Sequence, residues 1–184
     1  LVGADVAFSR VSTDSRKLQA GDLFVALSGE NFNGNRFVAQ VAKKQAVAAI
    51  VSEAQEADIP QLVVEDTAIA LGWLGHINRQ RSRANIVAIT GSQGKTSVKE
   101  IAGSILSQQF RILVTRGNLN NTIGAPMMLL ELEPDHQQAV IELGANAAGE
   151  IAWTAKLTDP HIVLINNAAE THIEGFGSLA GVVK

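Results

Sequence analysis

Residues 85–100 read NIVAITGSQGKTSVKE: an apolar strand-like run, a short turn carrying Gly91, Gly94 and Lys95, and the start of a helix-like pattern. This junction constrains the fold more than any other stretch. A strand that feeds a helix needs a crossover before it meets its next partner, and crossovers build parallel sheets. The rest of the chain repeats the alternation. RILVT (111–115), QAVIEL (138–143) and HIVLINN (161–167) read as strands, and 96–109, 124–132 and 150–157 as helices. The strands are nearly continuous apolar runs, which predicts a parallel sheet covered on both faces.

The first part is built from the same units. LFVAL (23–27), AAIV (48–51) and QLVVE (61–65) predict strands, and 36–44 predicts a helix. Asp66 is placed to cap a longer helix in which Ile69, Trp73 and Ile77 recur four apart, and Trp73 and Trp153 are expected on helix faces toward a core. RQRSRAN (79–85) reads as a polar linker. The expected organisation is therefore α/β throughout: a small N-terminal domain, 1–82, and a mostly parallel, phosphate-loop-containing domain, 83–184, expected to be incomplete. The chain opens on Leu1 and ends in SLAGVVK without a helix stop signal, so we read it as a fragment of a longer protein.

Composition narrows the function. A net charge of −3 gives no basic field for nucleic acid. No apolar run reaches the roughly 18 residues of a membrane helix. With no cysteine, disulfides, thiolate zinc sites and a cysteine nucleophile are excluded, which is compatible with a cytoplasmic protein.

The turn itself points to a nucleoside triphosphate. Amide groups at a helix start have no partner inside the helix, and the helix dipole makes that end partly positive. Gly91, Ser92, Gln93 and Gly94 can curl around an anion, Lys95 adds a full charge, and Thr96 offers a hydroxyl to Mg²⁺, with Ser97 beside it. The spacing is shorter than the standard phosphate loop, because Ile89 stands where that motif needs its first glycine. An ordinary glycine turn with a solvated lysine is the bland alternative. Further site residues are expected beyond the carboxyl ends of neighbouring strands. Glu142 closes one such strand and reads as a metal ligand or half of a salt bridge. His172 follows another, and Asn118, Asn120 and Asn121 follow a third; taken alone, these read as readily as a surface histidine and turn residues. His76, His136 and His161 have no metal-ligand spacing, and Ser92 and Ser97 belong to no Ser/His/acid set.

Taken together, TGSQGKTSVKE, GNLNNTIGAP, VIELGANAAGEI and THIEGFGSLAGV resemble the Mur ligases, and STDSRKLQAGDLFVALSGENFNG resembles their first domain. The details are similar to the branch that adds D-alanyl-D-alanine to UDP-N-acetylmuramoyl-tripeptide. The resemblance implies a monomeric, cytoplasmic, ATP- and Mg²⁺-dependent amide ligase. It implies that the segment around Ser15 and Arg16, with Phe24 and Ala26, receives the UDP end of the substrate. It also implies that Gly91 to Ser97 bind ATP and that Thr96, Glu142 and His172 hold metal. Asn118, Asn120 and Asn121 would line the place where the γ-phosphate meets the substrate carboxylate. The family's carbamylated lysine would fall at position 186, beyond Lys184, and Asn33-Gly34-Asn35 departs from the family's usual Asp and His there. Two further readings are a different Mur-type or folylpolyglutamate-type ligase, and a nucleotide-binding module without catalysis.

Overall fold

The computed structural model describes residues 3–29, 32–171 and 173–183. The chain forms two compact units, 1–71 and 72–184, each with its own sheet.

In the first unit four parallel strands lie in the order β1-β2-β5-β6: β1 Arg10–Ser12, β2 Asp22–Val25, β5 Ala48–Val51 and β6 Gln61–Val63. Between β2 and β5 the chain makes a two-stranded antiparallel ribbon, β3 Ser28–Gly29 and β4 Phe32–Asn33. A 3-10 turn, Gly34–Phe37, then leads into helix α1, Val38–Lys43. Phe24, Val38, Val41, Ala49 and Val51 form the core. Helix α2, Thr67–Arg81, starts where Asp66 Oδ1 accepts the amides of Ala68 and Ile69, as its sequence predicts.

The second sheet is also all parallel, in the order β10-β7-β9-β8: β7 Asn85–Thr90, β8 Ile112–Val114, β9 Gln138–Glu142 and β10 Ile162–Ile165. Its crossovers are helices α3 Lys95–Leu106, α4 Gly124–Leu129 and α5 Glu150–Thr158. Right-handed crossovers put α3 on one face and α4 with α5 on the other, because β7→β8 runs along the sheet opposite to β8→β9 and β9→β10. Two short helices follow, α6 Ile173–Phe176 and α7 Leu179–Val183. Ile86, Ala88, Ala139 and Ile141 from the central strands pack with Met128, Leu129 and Leu157 from the helices.

Two expectations are corrected. Trp153 packs against the core as expected, but Trp73, in line with the exposed Ile69 and Ile77 on α2, is itself 39% exposed, its ring edge-on to Trp153 and beneath the Lys156 ammonium. The inward side at the C-terminal part of α2 is Gly72, Gly75 and Arg79. The glycines let the helix lie close to Trp153, Leu157 and Pro126, and Arg79 donates to the carbonyls of Thr158 and Asp159. Four-residue spacing identifies a helix face but not which way it points. Second, among the described residues nothing covers both faces of the apolar strand β10: it is an edge of the sheet, and all four of its residues are exposed, Ile165 by 68%.

Candidate active site

Register brings the carboxyl ends of three strands together. Ile89 of β7 lies beside Glu142 of β9, and Thr90 lies beside Ile165 of β10. The loop after Thr90 closes over this edge. Its two glycines hold φ angles of 139° at Gly91 and 73° at Gly94, a region that penalises any side chain. Gly94 is the residue immediately before α3, so the first amides of that helix open onto the loop. The Lys95 ammonium folds back and donates to the carbonyl oxygens of Gly91 (2.6 Å) and Ser92 (3.4 Å).

Glu142 is the centre of the arrangement. Its side chain is 2% exposed. Its Oε1 accepts from Asn120 Nδ2 (2.7 Å) and from the Thr96 hydroxyl (3.3 Å), and its backbone amide donates to Thr115 Oγ1 (2.9 Å). The Lys99 ammonium, on a side chain 1% exposed, lies 4.0 Å from Oε2. Lys99 donates instead to the Thr115 carbonyl (2.8 Å) and pairs with Glu100 (2.8 Å). Among the described residues Oε2 therefore has no hydrogen-bond partner, although it is buried. A carboxylate oxygen in that state loses water without gaining a donor, which is costly unless a cation completes it. A hard divalent ion favours the oxygen donors that Thr96 and Glu142 supply, so the residues present fit Mg²⁺.

The remaining predicted residues divide. Asn121 commits its Oδ1 to the amides of Ile123 and Gly124 at the start of α4, which leaves its Nδ2 as its donor for a ligand. Asn118 is exposed on the same loop, and its carbonyl accepts the Asn120 amide. Ser97 is exposed in the first turn of α3. The Ser92 hydroxyl is spent on Ala169, donating to its carbonyl and accepting its amide. His172 lies outside the described residues. The other three histidines do structural work: Nδ1 of His76, His136 and His161 is hydrogen-bonded to the backbone of Leu157, Glu133 and Ile86 respectively. Glu133, Asp135 and His136 lie close enough to share a metal, but Arg111 pairs with both carboxylates.

In the first unit Arg16 is exposed and paired with Asp14 through two side-chain contacts (2.8 and 2.9 Å). Those bonds, followed by the Arg16 amide, hold the Asp14 carboxyl well below the usual carboxylate range. Ser15 offers its carbonyl to Lys44. Phe24 and Ala26 are buried in the core, and the Ala26 carbonyl accepts the Thr67 hydroxyl.

Four residues were not anticipated: Lys99, Thr115, Asn166 and Asn167. Lys99 follows Lys95 by four and so shares its helix face, one turn deeper, in line with the buried Gly103. Asn166 and Asn167 stand directly after β10, at the same carboxyl edge as the loop.

Comparison with known proteins gives a consistent result. Residues 89–184 match the Mur ligase middle domain, and residues 7–88 match the Mur ligase family, catalytic domain. The chain is 55% identical over 184 residues to the UDP-N-acetylmuramoyl-tripeptide–D-alanyl-D-alanine ligase of Escherichia coli (strain K12), covering 100% of this chain and 41% of that protein. It is 36% identical over 178 residues to the enzyme of the same name from Bacillus subtilis (strain 168), covering 95% of this chain and 39% of that protein. Among solved structures, a crystal structure of MurF from Acinetobacter baumannii superposes with a TM-score of 0.91 at 50% identity, over 95% of this chain and 39% of that one. MurF ligase from Thermotoga maritima in complex with ADP gives 0.87 at 28% identity, over 98% of this chain and 42% of that one. The chain thus spans about two fifths of the length of the relatives it matches.

Proposed function

The chain belongs to the Mur ligase family, and from that premise we propose that it is part of an ATP-dependent ligase joining D-alanyl-D-alanine to UDP-N-acetylmuramoyl-tripeptide. This is a step of bacterial cell-wall precursor synthesis, carried out in the cytoplasm by a monomer. The observation that carries the reading is the buried Glu142 carboxylate beside the 91–96 loop, with Asn120 and Thr96 on one oxygen and the other left open. The names of the relatives supply the substrates, and the Thermotoga maritima complex with ADP supports a nucleotide on this fold. We keep the division into a UDP-substrate domain, 1–82, and an ATP domain, 83–184, as part of the same proposal.

The chemistry follows from charge. A carboxylate is a poor acyl donor because oxide is a poor leaving group. In the proposed reaction the terminal carboxylate of the tripeptide attacks the γ-phosphorus, the bond to ADP breaks, and an acyl phosphate forms. The amine of D-alanyl-D-alanine then attacks that carbonyl, loses a proton and expels inorganic phosphate. The first step presses an anion against a triphosphate, so positive charge must be present before the atoms meet. Lys95 supplies it by leaving its two loop carbonyls for the phosphates. Thr96 and Glu142 would hold Mg²⁺, which offsets further phosphate charge, and His172 is carried as a ligand for a second ion by the family resemblance. Asn120 fixes the Glu142 carboxylate, and Asn118 with the free amide of Asn121 faces the carboxylate being activated.

The test is Lys95→Ala in the full-length enzyme. ATP turnover is expected to fall by about 10²–10³-fold or more, with binding of the UDP-substrate preserved. ATP turnover at the normal rate would refute the phosphate-loop assignment. Phosphate release measured with D-alanyl-D-alanine against other acceptors separates this ligase from its Mur-type and folylpolyglutamate-type relatives. ATP uptake with no release under any acceptor would indicate a non-catalytic module.

A further inference from the structure

Asn167 is bound to the 91–96 loop by more contacts than any ligand role requires. Its Oδ1 accepts the Gln93 amide (2.9 Å) while its Nδ2 donates to the Gln93 carbonyl (2.9 Å), so one carboxamide grips both polar atoms of a single residue. Its own carbonyl accepts the Ser92 amide (3.0 Å). Asn166 adds a second donor to the Gln93 carbonyl (2.7 Å), and its amide bonds to the Thr90 carbonyl (2.8 Å). Two residues on, Ala169 is tied to the Ser92 hydroxyl in both directions (2.8 and 3.0 Å).

The glycines fit the same picture. A Cβ at Gly91 would lie 3.0 Å from both the amide nitrogen and the carbonyl oxygen of Asn167, and one at Gly94 would lie 2.9 Å from Asn166 Nδ2. The loop is bare at these two points because the asparagines press against it there.

From this we propose that Asn167, seconded by Asn166, is a positioning residue for nucleotide binding. It holds residues 91–94 curved in the absence of a ligand, so that binding does not have to order them. The proposal rests on reading 91–96 as a phosphate loop. The clamp also divides the loop's donors. The Ser92 and Gln93 amides are turned to Asn167, so the phosphates are met by the amides at the start of α3 and by Lys95. An unclamped loop would lose conformational freedom on binding, and nucleotide affinity would fall accordingly.

The experiment uses the full-length enzyme carrying Asn167→Ala, Asn167→Asp or Asn166→Ala. Hydrogen–deuterium exchange without nucleotide reads the clamp directly. The Ser92 and Gln93 amides should exchange at least about tenfold faster in Asn167→Ala, with β7 and β9 unchanged. The KM for ATP should rise about tenfold or more while the KM for the UDP-substrate stays within about twofold. Asn167→Asp keeps the shape and the acceptor but turns the donor into a second acceptor facing the Gln93 carbonyl. It should therefore be at least as impaired as the alanine variant, whereas Asn166→Ala, which removes one donor, should be milder. If Asn167→Ala does not fold, the near-isosteric Asp variant decides. Unchanged loop exchange, or an ATP KM within twofold of the parent in Asn167→Asp, overturns the proposal. ATP titration of the unsubstituted enzyme is run beside these. Failure there would overturn the phosphate-loop reading, while the exchange data would still decide whether the clamp exists.

Discussion

Replacing Lys99 by methionine isolates one charge. Methionine keeps an apolar stem of similar length and removes the ammonium. The loss has two parts. The Thr115 carbonyl gives up its 2.8 Å donor, and a buried unsatisfied acceptor costs about 1–3 kcal/mol. Glu142 Oε2 gives up its cation at 4.0 Å, a pair worth about 4 kcal/mol at an effective dielectric constant near 20. Against these stands the desolvation of the ammonium, which the variant no longer bears. Measured losses for breaking a buried pair from one side run to about 3–5 kcal/mol, and we expect a value in that range. For a chain of this size it corresponds to a fall in Tm of about 6–20 °C.

Thermal and urea denaturation followed by circular dichroism read this directly. Two companion variants identify the cause. Glu100→Gln removes the exposed partner of the same ammonium and should cost under about 1 kcal/mol. Lys99→Met combined with Glu142→Gln removes both buried charges and should recover at least about 1 kcal/mol of the single-variant loss. A loss below about 1 kcal/mol for Lys99→Met, or strict additivity in the double variant, would refute the idea that Lys99 balances Glu142.

Two further substitutions probe packing and pH. Gly75→Ala places a Cβ 2.9 Å from the Pro126 carbonyl oxygen and 3.0 Å from its Cα, both backbone atoms that cannot rotate aside. Helix propensity favours alanine by about 1 kcal/mol, but overpacking costs about 1–3 kcal/mol, so a Tm lowered by a few degrees is expected, and a raised Tm would contradict the close α2–α4 contact. In the first unit, burial raises the Asp22 carboxyl pKa, but hydrogen bonds from Arg10 and the Gln19 amide, with the Arg10 charge, leave it below its ordinary value. A lowered folded-state pKa contributes stability that is present above the unfolded value, about 3.9, and is lost as pH falls through the folded value. Asp22→Asn should therefore destabilise at pH 7, with a deficit that shrinks progressively as pH falls below about 3.9, which melting curves across that range will test; a deficit independent of pH would contradict the linkage.

Most strands and helices in both units, and the parallel character of the sheets, were legible because apolar runs and glycine turns are local signals; strand order, which depends on long-range pairing, and the short strand β1 were not. NIVAIT is strand β7 residue for residue. The ribbon of β3 and β4 was not legible, since two-residue strands carry no periodicity. Nor was the direction of the α2 stripe, because glycine on the inward side removes the hydrophobic cue that marks a buried face. At the site, Lys95, Thr96, Glu142 and Asn120 were legible as residue types at the ends of strands. The ties among them were not. That Asn120 and Thr96 meet on one oxygen of Glu142 depends on register between β7 and β9, which pairs Ile89 with Glu142 and is set by the whole sheet.

Lys99 also bears on how, in the proposed function, this edge would receive a triphosphate. An uncompensated carboxylate at the end of β9 would repel an anion placed near Lys95. Lys99 lies on the same helix face as Lys95, one turn deeper, and stands 4.0 Å behind Glu142. Its charge offsets that of Glu142 from inside the fold without taking a lone pair of Oε2, because its hydrogen bond goes to Thr115. The two lysines thus divide one task. The deeper one neutralises the carboxylate, so the positive charge of the outer one, with the dipole of α3, remains available to an anion at the loop.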